Sequence, residues 1–127
     1  MASEESVEGG TLTTYTAAEV KEMYDQRAMV LIDVRTVQEY GFQHIKGALL
    51  YPLAAFDPAR LPASTEDKPI VFHCGSGVRS KKVATACLAA GMTRVAHLGG
   101  GFAAWKQAGY PFYAVDPMTG SIQKNNG

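Results

Sequence analysis

The stretch PIVFHCGSGVRS, residues 69–80, decides the fold predicted for this chain. After Pro69 come four apolar or aromatic residues, the pattern of a strand buried on both faces of a parallel sheet. This run stops at Cys74, a short Gly/Ser loop follows, and Ser80 opens a pattern of apolar residues at helical spacing that Gly91 ends. The sequence therefore predicts a strand, a tight loop and a helix. Cys74 would lie at the carboxyl end of the strand, the edge at which open α/β sheets bind ligands.

The loop after Cys74 has features that stabilise a thiolate. Gly75 and Gly77 permit backbone conformations that point successive N–H groups into one concavity. The following helix directs its positive end at the same place, and Arg79 adds a full charge. We therefore predict that the pKa of Cys74 lies below the value of roughly 8.5 of a free cysteine. A single cysteine is most often a small buried hydrophobic residue, but the convergence of these features on one sulfur favours a reactive thiol.

Strand and helix patterns alternate through the remainder of the chain. Strands are predicted at residues 29–34, 48–51 and 94–98, and helices at 17–26, at 37–41 and around Phe102 and Trp105. Such alternation with short connections predicts an α/β fold with about five mostly parallel strands and helices on both faces of the sheet. Asp33 and Arg35 lie at the end of one of these strands. Because parallel strands share one carboxyl edge, we expect both residues near the Cys74 loop.

We expect one domain with loose ends. A length of 127 residues is enough for a single hydrophobic core. Residues 1–10 are small and polar and are predicted to form a flexible arm, followed by a folded domain at residues 11–115. Residues 116–127 contain turn formers and little to bury, which predicts a loose tail.

Composition argues against several kinds of partner. Lys and Arg number 12, as do Asp and Glu, so the net charge indicates no nucleic-acid partner. No apolar run approaches the roughly 18 residues of a membrane span, and the polar, acidic start does not resemble a signal peptide. Two cysteines, one with the features of a reactive thiol, favour a reducing cytoplasm, and no Cys/His spacing indicates a metal site.

The same loop resembles the active site of the rhodanese family, single-domain sulfurtransferases that carry sulfur as a cysteine persulfide. Residues 74–80 match the loop of that family, a cysteine followed by four residues and often an arginine. Other segments resemble further motifs in the family's order: LIDVR at 31–35, EY at 39–40, HIKGA at 44–48 with Lys46 in the usual proline place, LGGGFAAW at 98–105 and GYP at 109–111. The resemblance covers roughly residues 15–112.

This resemblance implies a rhodanese-like fold and ping-pong sulfur transfer. The Cys74 thiolate would attack the outer sulfur of a donor such as thiosulfate, and cyanide or a thiol, including a thiol on a protein, would then remove that sulfur. The loop would bind the transferred sulfur through its backbone at Gly75, Ser76, Gly77, Val78, Arg79 and Ser80. Asp33 is expected to brace the loop through N–H groups or an arginine, and Arg35 and Glu39 to be structural ion-pair partners. We expect a monomer that uses no metal and no organic cofactor.

Two other functions remain open. Phosphatases and arsenate reductases on this fold carry a His-Cys pair, five residues and then an arginine, and His73 does precede Cys74. Only four residues separate Cys74 from Arg79, however, and a tighter ring suits one extra sulfur better than a tetrahedral oxyanion. The second alternative is a non-catalytic module that binds a partner in the same cleft, but such modules usually lack the cysteine. The sequence leaves the physiological donor and acceptor open.

Three further residues are predicted to be structural. Side chains alternate along a strand, so His73 should face away from Cys74 and be a poor general base for it. Cys87 lies on the apolar side of its helical pattern and is predicted to be a packed wall residue rather than a resolving thiol. His44 is predicted to be a hydrogen-bonded loop histidine.

Overall fold

The computed structural model describes residues 2–7 and 9–125, which form nine strands and four α-helices. The strands are β1 Ser3–Val7, β2 Gly10–Tyr15, β3 Val30–Asp33, β4 Gln43–His44, β5 Leu49–Leu50, β6 Ile70–His73, β7 Arg94–Leu98, β8 Phe112–Val115 and β9 Ile122–Asn125. The helices are α1 Ala17–Asp25, α2 Val37–Phe42, α3 Val78–Ala89 and α4 Gly101–Gln107, with a single 3-10 turn at Leu53–Ala55.

The main sheet has six strands in the order β1-β2-β7-β6-β3-β5. Every neighbouring pair is parallel except β1 with β2, which is antiparallel. The central strand β6 runs beside β3 on one side and β7 on the other, so the carboxyl ends of these three strands meet at one edge. The predicted α/β fold with a mostly parallel sheet is confirmed.

Alternation along the strands divides the core into two clusters, one on each face of the main sheet. Phe72 belongs to the cluster that contains residues of α3, whereas its neighbour Val71 belongs to the cluster that contains residues of α1 and α4. Cys74 continues the parity of Phe72 and lies in the α3 cluster. Helices thus cover both faces, and the residue that follows β6 is directed toward α3.

Two capping boxes set the starts of α1 and α2. The hydroxyl of Thr16 accepts from the Glu19 N–H, and the Glu19 carboxylate accepts from the Thr16 N–H. Thr36 and Glu39 repeat both bonds before α2. The side chains therefore satisfy N–H groups that have no partner inside each helix.

The prediction of a flexible arm at residues 1–10 is wrong for most of that segment. Ser3–Val7 forms β1, which pairs antiparallel with β2, a strand that the sequence analysis also missed. The β1 side chains are mostly exposed, so this strand is held by backbone pairing and by an ion pair between Glu5 and Lys81 at 3.2 Å rather than by burial. Residues 1 and 8 lie outside the described residues.

The predicted loose tail at residues 116–127 also differs from the structure. Ile122–Asn125 forms β9, which pairs antiparallel with β8 and completes a second sheet of order β4-β8-β9. The turn between β8 and β9 is closed by backbone hydrogen bonds between Asp116 and Ser121 and between Gly120 and Asp116. These bonds need no apolar side chains, which is why hydrophobic patterning did not predict the hairpin. Residues 126 and 127 lie outside the described residues.

Within the described chain, no helix is both long and apolar enough to cross a membrane.

Candidate active site

The predicted strand, loop and helix are all present around Cys74. β6 ends at His73, residues 74–77 form the loop, and α3 begins at Val78, two residues earlier than the helical pattern indicated. Gly77 caps the helix with φ of 102°, a left-handed conformation that favours glycine. A side chain there would also crowd the backbone of Gly100, 3.2 Å from the position of a Cβ atom.

The Cys74 sulfur is buried and surrounded by hydrogen-bond donors. The Gly77 N–H donates to Sγ at 3.0 Å, and the Ser80 hydroxyl lies 3.6 Å from it. Burial by itself raises the pKa of Cys74, but hydrogen bonds from the backbone and hydroxyl of Ser80 and from the Gly77 and Ser76 backbone outweigh burial and lower it. The predicted direction of the pKa shift is confirmed.

The first turn of α4 holds the backbone of the Cys74 loop through two hydrogen bonds. The Phe102 and Ala103 N–H groups donate to the carbonyls of Cys74 and Gly75 at 2.8 and 3.0 Å. Gly101 permits this approach, because a Cβ atom there would lie 2.6 Å from the Cys74 carbonyl oxygen. With these carbonyls held by α4, the loop is free to direct N–H groups toward the sulfur. The resemblance identified this glycine-rich segment as a motif, but its contact with the loop is a finding of the structure.

Arg79 lies at the rim of the loop and is paired with Glu39 of α2. The two side chains form a bidentate ion pair with distances of 2.7 and 3.0 Å. The hydrogen bond from Arg79 is the main reason that the pKa of Glu39 falls to about 2. Glu39 was predicted to be a structural ion-pair partner, and its partner is Arg79. The guanidinium crosses close to Gly75, with Nη2 3.2 Å from the position of a Cβ atom there.

Asp33 and Arg35 form a buried pair beside the loop. The Asp33 carboxylate accepts from the Arg35 backbone N–H at 2.9 Å and from the guanidinium at 2.8 to 3.1 Å. Among the described residues, this carboxylate hydrogen-bonds Arg35 and not the N–H groups of the loop. The Arg35 guanidinium also lies 4.5 Å from the centre of the Phe102 ring. Because the Phe102 N–H binds the Cys74 carbonyl, the pair supports the loop through α4.

His73 faces the sheet side opposite to the Cys74 sulfur, as strand alternation predicted. Its Nδ1 lies 3.3 Å from the Cys74 carbonyl oxygen, and its Nε2 lies 3.5 Å from an Asp33 carboxylate oxygen. Burial is the main cause that lowers the pKa of His73. A buried imidazole with no bond to Sγ does not serve as its general base.

Cys87 and His44 lie in structural positions. Cys87 is buried in the α3 cluster, and burial raises its pKa to about 11. Both cysteines are free thiols. His44 Nδ1 lies 2.8 Å from the Tyr40 carbonyl oxygen, and the His44 ring stacks on the ring of Tyr40. The predicted hydrogen bonding is confirmed, but His44 lies in β4 and not in a loop.

His97 is a site residue that the sequence analysis missed. Its Nδ1 lies 2.9 Å from the Ser80 hydroxyl, and its Nε2 lies 3.0 Å from the Thr14 hydroxyl. β7 pairs with β6 so that His97 is the partner of Phe72, which places His97 on the Cys74 side of the sheet. A histidine on a strand beside the cysteine strand was a signal in the sequence, but its face depends on a register that the sequence does not reveal.

The other clefts of the described residues lie away from Cys74. A cleft of about 480 Å³ lies between Tyr24, Arg27, Lys46 and Lys68, but its lining contains no cysteine, serine or histidine. Within residues 2–7 and 9–125, no group of His, Cys, Asp and Glu side chains is arranged to hold a metal ion.

Comparison with known proteins identifies the family of this chain. The family model described as rhodanese-like domain matches residues 16–108. An uncharacterized protein of Synechocystis sp. is 37% identical over 101 residues, which cover 80% of this chain and 56% of that relative. A protein named sulfurtransferase from Allochromatium vinosum is 33% identical over 92 residues, which cover 72% of this chain and 85% of that protein.

A solved structure from Rhodopseudomonas palustris, described as a protein of unknown function and possible tyrosine phosphatase, is 32% identical with a TM-score of 0.63. The match covers 76% of this chain and 80% of that one. The family model spans most of the chain and shows that the chain belongs to the rhodanese-like domain family.

Proposed function

We propose that this chain is a sulfurtransferase that moves sulfane sulfur from a donor such as thiosulfate to cyanide or a thiol through a persulfide on Cys74. The observation that carries the proposal is the hydrogen bonding around the Cys74 sulfur, which accepts from the Gly77 N–H at 3.0 Å and lies 3.6 Å from the Ser80 hydroxyl. Such donors favour an anionic sulfur, which is the form that attacks. The relative named sulfurtransferase, most of whose length this chain covers, supports the same chemistry.

The reaction has two steps. The Cys74 thiolate attacks the outer sulfur of thiosulfate, a new S–S bond forms, and the S–S bond of the donor breaks as sulfite leaves with the electron pair. Cyanide or a thiolate then attacks the outer sulfur of the persulfide, and the Cys74 thiolate is released. The sulfur bound to the enzyme is an anion before and after each step: first the Cys74 thiolate, then the outer sulfur of the persulfide. Hydrogen-bond donors fixed by the loop therefore stabilise both forms.

A phosphatase is the second candidate, and the description of the Rhodopseudomonas palustris structure favours it. The loop length of this chain favours sulfur transfer, because four residues between Cys74 and Arg79 leave less room for a tetrahedral oxyanion. Arg79 is also occupied by the Glu39 carboxylate, which would have to release it before it could bind a phosphate. A non-catalytic binding module would not require a donor-surrounded cysteine.

We further infer that a small sulfur donor and a thiol or cyanide acceptor, or a thiol on a protein, are the partners. The protein would act as a monomer without metal or organic cofactor. Two free thiols, one of them the proposed nucleophile, suit a reducing compartment such as the cytoplasm.

The test is intact-mass analysis after incubation with thiosulfate and again after addition of cyanide. We expect the protein to gain one sulfur atom and to lose it to cyanide, with Cys74→Ser gaining none and Cys87→Ala behaving as the parent. Absence of sulfur uptake by the parent would overturn the proposal. Hydrolysis of an aryl phosphate by the parent, measured alongside, would move the phosphatase to first place.

A further inference from the structure

A chain of hydrogen bonds leads from the Cys74 sulfur through three elements of the fold. Ser80 of α3 lies 3.6 Å from the sulfur, and its hydroxyl oxygen lies 2.9 Å from Nδ1 of His97 on β7. Nε2 of His97 lies 3.0 Å from the hydroxyl of Thr14, its register partner on β2. Ser80 and His97 are buried, whereas Thr14 is only partly buried. The chain therefore connects a buried sulfur with the surface.

The Cys74 thiol needs such a connection before it can act as a thiolate. Its sulfur is fully buried, and the adjacent His73 faces the other side of the sheet. Among the hydrogen bonds of the described residues, the only side chain that reaches the sulfur is Ser80. A serine hydroxyl is too weak a base to keep a proton, so a proton that leaves the sulfur by way of Ser80 has to pass on to a better acceptor.

We propose that Ser80, His97 and Thr14 form a proton relay that takes the thiol proton of Cys74 toward the surface and leaves the Ser80 O–H directed at the thiolate. His97 is then a positioning residue, because it acts on Cys74 through Ser80 and does not touch the sulfur. The inference rests on the proposed function, in which the thiolate is the nucleophile.

The relay can move one proton from the sulfur to water without forming a charged imidazole. With a thiol present, S–H donates to Ser80, the Ser80 O–H donates to Nδ1, and the His97 Nε2–H donates to Thr14. On ionisation each proton moves one atom along the chain, and the original Thr14 proton passes to water. In the thiolate state Thr14 donates to Nε2, Nδ1–H donates to Ser80, and Ser80 donates to the sulfur. The imidazole stays neutral and changes tautomer.

Charged groups around the relay suit this neutral mechanism. Burial is the main cause that lowers the pKa of His97, with Lys81 of α3 lowering it further and Glu5 of β1 raising it. Lys81 and Glu5 are themselves an ion pair at 3.2 Å. A cationic His97 is therefore disfavoured, as a tautomer relay requires.

The charges near Cys74 are paired as well. Arg79 of α3 binds Glu39 of α2, and Arg35 binds Asp33 of β3. His73, whose pKa is lowered mainly by burial, faces the opposite side of the sheet. No charged side chain hydrogen-bonds the sulfur among the described residues, so ionisation of Cys74 depends on neutral donors such as Ser80.

The decisive test is an NMR titration of the full chain with ¹³C-labelled cysteine and ¹⁵N-labelled histidine. We expect His97 to be the Nε2–H tautomer while Cys74 is a thiol and the Nδ1–H tautomer once it is a thiolate, with one midpoint for both. His44, whose Nδ1 lies 2.8 Å from the Tyr40 carbonyl oxygen, serves as the internal reference. A His97 tautomer that does not change while Cys74 ionises would overturn the relay.

Two variants measure the consequence for Cys74. His97→Leu should raise the midpoint of the Cys74 titration by about one pH unit, so that sulfur loading below the midpoint falls about tenfold and recovers at high pH. Thr13→Val, on the same strand as Thr14 but directed to the other face, is the control and should titrate as the parent. A parent-like midpoint in His97→Leu would refute the positioning role. If this variant does not fold, the tautomer measurement on the parent decides alone.

Failure of the relay and failure of the proposed function give different results. The titration measures ionisation without any sulfur donor, whereas sulfur uptake is measured by mass. If Cys74 ionisation and the His97 tautomer change share a midpoint but no sulfur is taken up, the relay is supported and the proposed sulfur transfer is refuted. If sulfur is taken up but the His97 tautomer does not change, sulfur transfer is supported and the relay is refuted.

Discussion

Cys74 and Cys87 are both buried in the same hydrophobic cluster on one face of the main sheet, yet the pKa values of their thiols are shifted in opposite directions. Burial raises the pKa of Cys87 to about 11, since no donor compensates for the loss of water. Burial acts on Cys74 in the same direction, but hydrogen bonds from Ser80, Gly77 and Ser76 reverse the result. Burial alone therefore does not make a cysteine inert, and the orientation of a few N–H and O–H groups decides its chemistry.

The difference follows from where each cysteine lies along its element. Cys74 comes directly after a strand, where the chain turns and its N–H groups are not yet used in a helix. Cys87 lies inside α3, where the backbone donors are already bonded within the helix. The same helix thus supplies donors to one sulfur through its first turn and an apolar wall around the other.

The sharpest way to test this comparison is to remove each sulfur in turn. Cys74→Ser should lower thiosulfate-to-cyanide sulfur transfer by more than about 1,000-fold, because the nucleophile of a covalent mechanism is lost. Cys87→Ala should retain nearly the parent rate. Steady-state rates at matched protein concentration measure both. Parent-like turnover by Cys74→Ser would refute the mechanism, and a Cys74–Cys87 disulfide detected during turnover would make Cys87 a resolving thiol.

The second test changes the ring of donors rather than the sulfur. One glycine inserted between Gly77 and Val78 displaces Arg79 and Ser80 and widens the loop to the spacing of the phosphatase relatives. Sulfur transfer should fall on the order of 100-fold, because a misplacement of about 1 Å is enough for such a loss. Oxyanions should bind better, which a rate on an aryl phosphate measures.

The insertion also separates the two enzyme classes. Appreciable hydrolysis of an aryl phosphate by the parent, before any insertion, would show that loop length does not decide the chemistry. Circular dichroism of the insertion variant is the control for folding, because Gly77 also packs closely against Gly100.

The third test removes one donor and keeps the loop. Ser80→Ala should raise the pKa of Cys74 by about one unit, because a hydrogen bond to an ionised group contributes roughly 1.5 kcal/mol or more. The rate of sulfur loading should then fall about tenfold below the parent midpoint and recover as the pH rises. Thr85→Ala is the matched control, since the Thr85 hydroxyl donates to the Lys81 carbonyl on the same helix and, among the described residues, has no hydrogen bond to the Cys74 loop. An unchanged pH profile in Ser80→Ala would show that the backbone donors suffice.

The part of the site formed by residues close together in sequence could be predicted from the sequence alone. The run from Pro69 to Cys74, the loop glycines and Arg79 lie within one stretch, so the strand, loop and helix could be inferred from periodicity and turn chemistry. Asp33 and Arg35 were predicted near the loop because parallel strands share an edge, although their pairing with each other and with Phe102 required the structure.

The missed parts depend on pairing between distant segments. His97 reaches Ser80 only because β7 lies beside β6 in one particular register, and register is not visible in a single sequence. β1 and β9 were missed for a related reason, since their side chains are mostly exposed and backbone pairing holds them. Hydrophobic patterning detects strands that bury side chains, and the side chains of β1 and β9 are mostly exposed.

The smallest effect expected concerns Cys87 and the stability of the fold. Cys87→Ala should lower the free energy of unfolding by about 1 kcal/mol near neutral pH, since a small buried group is lost from a packed cluster.

The pKa of Cys87 is raised in the folded protein from 9.0 to about 11, so the unfolded chain ionises first as the pH rises. Between these two values the unfolded state binds fewer protons than the folded state, and stability must fall with pH. The stability of Cys87→Ala lacks this contribution, whereas the titration of Cys74 is common to both proteins and cancels. Urea unfolding of parent and variant from pH 7 to pH 11 measures the difference, which should fall as the pH rises and change sign within this window, because a shift of the pKa from 9.0 to about 11 outweighs a loss of about 1 kcal/mol. A difference independent of pH would mean that the Cys87 thiol is not shielded from water, and the contrast between the two cysteines would then lie in Cys74 alone.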